Sequence, residues 1–104
     1  MTMNDDIKKY PTYALSAQGL VPIEILSTND YNHYTHQLHH YIKQQEWKRN
    51  KEWFEERGIE QKLILLPEWV HNEVHGMKYS DEEFKKKFKI SRWDLLFNRR
   101  YYAG

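Results

Sequence analysis

The chain has 104 residues, which suits one domain with a modest core and is too short for two. It contains no cysteine, so disulfides and thiolate metal sites are excluded, and any metal must be held by His, Asp or Glu. A formal net charge of +1 lacks the strong basic bias usual among proteins that grip phosphate backbones, although a local basic groove remains compatible with it.

Residues 1–18 are weakly patterned, carry Pro11, and read as an irregular arm with no apolar stretch of the kind an export signal needs. Val21, Ile23 and Ile25 alternate with Pro22 and Glu24, which predicts a short strand, at a sheet edge if Pro22 lies within it. Ser27–Asp30 is a loop by composition. Tyr34–Ile42 fits either a helical stripe or a strand. A strand near Leu38–Ile42 is preferred, with His39 and Tyr41 facing away from Leu38. Glu46–Arg57 is rich in helix formers and is followed by Gly58, a residue suited to the left-handed position after a helix end. Lys62–Leu66 is a short apolar run, expected as a buried strand, and Pro67 fits the first turn of a helix over Glu68–His75 that Gly76 stops. Ser80 and Glu83 form a capping box for a helix carrying Phe84 and Phe88. Ser91 begins a last helix with Trp93, Leu96 and Phe97 on one stripe. No run approaches the ~20 apolar residues of a membrane span, so a cytoplasmic chain, in a host or a target cell, is expected.

Six histidines stand out: His33, His36, His39, His40, His71 and His75. On a helix, His71 and His75 at i,i+4 project from one face, where neutral imidazoles can converge on one cation. In a strand, the neighbours His39 and His40 point to opposite faces and can take different tasks. Neither spacing alone is specific. Their combination in order is more telling: doublet, helical insert, apolar strand, Leu66-Pro67, then His71-x-x-x-His75 followed by Gly76. His33 and His36 read as solvated residues. Trp47, Trp53, Trp69 and Trp93 are expected in the core, because a small domain needs their area.

The segment from Leu38-His39-His40 to Leu65-Leu66-Pro67-Glu68-Trp69-Val70-His71-Asn72-Glu73-Val74-His75-Gly76 resembles the HNH/endonuclease VII superfamily of ββα-metal (His-Me finger) nucleases. It is most similar to bacterial toxin nuclease domains with an Ala-His-His or Leu-His-His signature, and more distantly to colicin-type DNases. The resemblance implies an α+β domain over 1–104, with a ββα finger at about 37–77 containing an inserted helix and flanked by further helices. Carried over by position, His39, His71 and His75 would be ligands of one divalent ion (Zn, Ni, Mg or Mn), and His40 the general base of phosphodiester hydrolysis. The family often has Asn at the start of the second strand, supporting the loop of the catalytic His; here Gln61 and Lys62 occupy that neighbourhood, and Gln61 is the expected support.

The activity that the resemblance implies is that of a metal-dependent endonuclease acting on DNA, with RNA as the alternative. It would be the effector domain of a bacterial toxin neutralised by an immunity protein, or a phage or mobile-element nuclease. Lys43, Lys48, Arg49 and Lys51 beside the insert, and Arg99 and Arg100 near the C-terminus, are candidate phosphate contacts, with a solvated charged face as the competing reading. A non-catalytic protein-binding module with a structural metal site is the alternative of a different class. The net charge favours it. The spare histidine at position 40 opposes it.

Overall fold

The computed structural model of the chain describes residues 3–98, an α+β arrangement built on a four-stranded mixed sheet. In chain order its elements are α1 (Met3–Lys9), β1 (Thr12–Ser16), β2 (Gly19–Ile23), a 3-10 turn (Thr28–Asp30), β3 (His36–His40), α2 (Gln44–Arg49) and α3 (Lys51–Glu56). Next come β4 (Leu63–Pro67), α4 (Glu68–Gly76), α5 (Asp81–Phe88) and α6 (Arg92–Leu95). The strands lie in the order β2-β1-β4-β3. β1 runs parallel to β4, whereas the β1–β2 and β3–β4 pairs are antiparallel. Pro22 sits in the outer strand β2, where its missing N–H breaks no ladder. No helix among the described residues is long and apolar enough to cross a membrane.

The N-terminal arm is a correction to the sequence reading. Residues 3–16 supply a helix and an inner strand instead of irregular chain. Local pattern hid both. Thr12–Ser16 has no clean alternation, and its pairing partners come from elsewhere: Thr12 sits opposite Leu63 on one side and Ile23 on the other. Gly19, at φ +99, takes the conformation that lets β1 turn back into β2.

The two sheet faces carry different covers. On one, Ile64 and Leu66 pack with Val70 and Val74 of α4, Phe84 and Phe88 of α5, and Leu95 of α6. On the other, Leu38 and Leu63 pack with Ile7 of α1 and with Ile25. A third cluster, Ile42, Phe54 and Phe97, seats the insert between β3 and β4. That insert is two helices where the composition predicted one. Asn50 leaves helical geometry at φ −121, ψ 28, and its side-chain amide donates to the Glu46 carbonyl at 3.3 Å. Gly58 takes φ +67 after the second of them, as expected.

Three boundaries also shift. β3 covers His36–His40, two residues earlier than the preferred strand. Gly76 stays inside α4, and Met77 takes the left-handed position at φ 57. The last helix is a single turn: Leu96 is extended, and the Phe97 N–H donates to the Tyr41 carbonyl at 2.9 Å, so the expected stripe through Phe97 is replaced by a return to the end of β3. Arg92, 1% exposed, fixes that turn by donating to Asp81 Oδ1 and to the Tyr79 carbonyl, each at 2.7 Å.

Candidate metal centre

Strand alternation decides what the histidine doublet does. His39 pairs opposite Ile64, on the face covered by α4 to α6, and His40 pairs opposite Leu63, on the face covered by α1. α4 buries Val70 and Val74, and this turns His71 and His75 along its flank towards His39. The three imidazole centroids lie 5.1, 5.1 and 4.8 Å apart. One ring nitrogen from each lies within 4.8 Å of the other two.

The tautomer of His39 is set by its neighbour. Its Nε2 lies 2.6 Å from the Leu95 carbonyl, which can only accept, so Nε2 carries the hydrogen and Nδ1 keeps its lone pair. That carbonyl is available because the last turn of a helix leaves its C=O groups without intrahelical partners. Nδ1 then lies 3.4 Å from His75 Nε2. This is long for a hydrogen bond. It matches the roughly 3.3 Å between two nitrogens that share a tetrahedral ion at about 2.0–2.1 Å. A ligating imidazole typically donates its second N–H in this way, which fixes the ring and raises its basicity.

The site is also prepared electrically. Burial pushes His39 down to about 3, against the opposing effect of the Leu95 hydrogen bond and with further lowering from His71 and His75. Burial lowers His71, helped by His75 and opposed by Glu68, and it lowers His75, helped by the Lys43 ammonium. All three are neutral at pH 7, the form a metal requires. Three neutral imidazoles without a carboxylate suit a borderline ion better than a hard one, and three protein ligands leave positions for other molecules.

His40 has a different partner. Its Nε2 lies 2.9 Å from Asp6 Oδ2, a carboxylate 8% exposed, so the carboxylate accepts the Nε2 hydrogen. Nδ1 is left as the acceptor, and the exposed Gln44 amide nitrogen lies 3.1 Å from Nδ1 and 3.0 Å from Nε2. Both Asp6 and Gln44 escaped the sequence reading. Asp6 lay in the presumed irregular arm, and no local signal ties it to a residue 34 positions on.

Gln61 is 2% exposed and lies two residues before β4. Its Oε1 accepts from the Ile42 N–H at 2.8 Å and its Nε2 donates to the Ile42 carbonyl at 2.7 Å, holding the chain just after the doublet. The three-histidine cluster and His40 open into one groove of about 560 Å³, which Lys43, Gln44 and Arg49 also line. Arg99 and Arg100 lie outside the described residues. His33 is exposed and stacks on Tyr34, and His36 bonds Thr35, so neither joins the cluster. Trp47, Trp53 and Trp93 are partly buried, but Trp69 is 60% exposed: α4 turns Val70 and Val74 inward, which leaves position 69 outside, against Phe88. No family model, curated protein or solved structure matches the chain.

Proposed function

We propose that the chain is a metal-dependent endonuclease of the ββα-metal kind, with β3, β4 and α4 as its finger and DNA as its substrate. The observation that carries the reading is one groove holding two separate devices. Three neutral histidines have converging nitrogens, and a fourth histidine, one residue away in sequence, is paired to a carboxylate on the other sheet face. A divalent ion on His39, His71 and His75, with Zn²⁺ or Ni²⁺ favoured by the all-imidazole donor set, would polarise the scissile phosphate and stabilise the leaving oxygen.

The remaining steps belong to the chain itself. His40 accepts the proton of the attacking water at Nδ1, a position that the exposed Gln44 amide yields to solvent. Asp6 keeps the hydrogen on Nε2 and stabilises the imidazolium that forms. Lys43 and Arg49, on the groove wall, bind phosphate oxygens. Gln61 keeps the chain after the doublet from shifting out of line with the metal side. The effector role in a bacterial toxin, with an immunity protein as partner, rests on the sequence resemblance alone.

A protein-binding module with a structural metal is the competing reading. Leu26, Tyr34, Trp69 and Met77 are large exposed apolar side chains that would suit it. It leaves the His40–Asp6 pair without a task.

Plasmid nicking with Zn²⁺, Ni²⁺, Mn²⁺ or Mg²⁺, with and without chelator, separates the two. Wild type nicks DNA and chelator stops it. His71→Ala loses both metal affinity and cleavage. His40→Ala keeps metal affinity and loses about 10²–10⁴ in rate. Equal cleavage by His40→Ala at equal metal loading removes the base from the mechanism, and no cleavage with any of these ions favours the binding module.

A further inference from the structure

Arg92 is among the largest fully buried side chains of the described residues. Its guanidinium donates from Nη1 to Asp81 Oδ1 and from Nη2 to the Tyr79 carbonyl, and it lies over the Phe84 ring, 4.9 Å from the centroid. Its Nε finds no acceptor. A buried ion pair with one donor left over is a poor way to stabilise a core, because apolar side chains of similar volume are often neutral or better in its place. What the side chain positions explains it better.

Two connections run from it. Tyr79 stands in the segment that leaves α4, four residues after His75. α6 carries Leu95, whose carbonyl lies 2.6 Å from His39 Nε2. The guanidinium therefore ties the exit of the helix that bears His71 and His75 to the turn that holds His39. α6 does not keep that carbonyl in place unaided. It is a single turn, closed by the Leu96 N–H on the Arg92 carbonyl at 2.9 Å, and an isolated turn is unstable. The buried Leu95 side chain and the Phe97 N–H on the Tyr41 carbonyl also anchor it. Apolar packing is non-directional, however, whereas a guanidinium fork fixes an orientation.

We propose that Arg92 is a positioning residue for the metal centre: it sets the Leu95 carbonyl against His39, which selects the His39 tautomer and raises the metal affinity of the cluster. This rests on the metal half of the nuclease reading and adds to it a residue that touches neither ion nor substrate. Partners of a ligating imidazole's second N–H are commonly worth about 10–100-fold in metal affinity. Arg92 acts one step further out, so the lower end of that range is expected.

Two measurements on Arg92→Met, which keeps most of the volume and removes the fork, test this. In chelator, nitrogen-15 NMR of labelled histidine reads the His39 tautomer. Wild type carries the hydrogen on Nε2, and Arg92→Met shows a mixture. In competition titrations Arg92→Met binds Zn²⁺ and Co²⁺ about tenfold more weakly than wild type. Ile25→Ala, which loses a buried side chain on the opposite sheet face, is destabilised but changes neither readout. Asp81→Asn, at a side chain 53% exposed, gives both changes at smaller size and serves if Arg92→Met does not fold. A wild-type tautomer or wild-type affinity in the folded arginine variant overturns the proposal, as do equal changes in Ile25→Ala. If wild type binds neither ion, the metal reading fails and the affinity claim with it, while the tautomer comparison still decides whether Arg92 holds His39.

Discussion

His39 is held in one tautomer by a carbonyl that α6 leaves over, and it is held neutral by burial. The neutrality has a pH signature. Well above about pH 6.5 the imidazoles of His39, His71 and His75 are uncharged in both folded and unfolded chain and add nothing to the pH dependence. Below it the unfolded chain takes up protons that the folded site refuses, down to about 3 for His39. The unfolded state then binds more protons, so stability falls as pH falls through that window. In chelator, urea midpoints should already decline between pH 6.5 and 5, where most carboxylates remain ionised. Added Zn²⁺ should move the decline to lower pH, since the ion binds deprotonated rings. A flat profile over this range would show that the three histidines are not held neutral by the fold. The three clustered histidines were legible in the sequence because strand alternation and helix period are local rules. Asp6 and the Leu95 carbonyl were not, the first because its contact is made only in the folded chain, the second because a backbone atom has no sequence signature.

At the level of elements, the reading succeeded where patterns were self-contained and failed where tertiary contacts decided the outcome. The Ser80 cap, the start of α4 at Glu68 and the edge strand with Pro22 followed from residue chemistry, whereas Pro67, expected in the first turn of α4, ends β4 and caps α4 instead. The break at Asn50, the single-turn α6 and the inner strand β1 depended on partners elsewhere in the chain. Gln61 links both cases: its role came from the family resemblance, and its two bonds to Ile42 supply a physical basis for it. Truncating it leaves a buried N–H and a buried C=O without partners, at about 1–3 kcal/mol each. Gln61→Ala should therefore lower unfolding free energy by about 2–6 kcal/mol and slow cleavage, with the metal-dependent rise in melting temperature retained. Urea unfolding with and without Zn²⁺ measures both. Unchanged stability would show that Gln61 does not hold the loop.

Across the whole molecule, the sheet divides the proposed chemistry between its faces. The metal side is assembled by β3, α4 and α6, and the base side by β3 and α1. The two sides should therefore be separable. Removing residues 1–9 takes away Asp6 and also Ile7, which is 6% exposed and packs with Ile25, Leu38 and Leu63. Losing one buried aliphatic side chain costs about 1.5–3 kcal/mol, so the shortened chain should be less stable but still gain melting temperature on adding Zn²⁺ or Ni²⁺. Its cleavage rate at saturating metal should drop, because nothing then keeps the hydrogen on His40 Nε2. Asp6→Ala in the full chain separates the two effects: it keeps Ile7 in place and should lose at least about tenfold in rate, short of the 10²–10⁴ expected for His40→Ala. Suppose the shortened chain, shown to be folded by its metal response, cleaves DNA as fast as the full one. Then α1 contributes packing alone, and His40 either works without a carboxylate or does not act as the base.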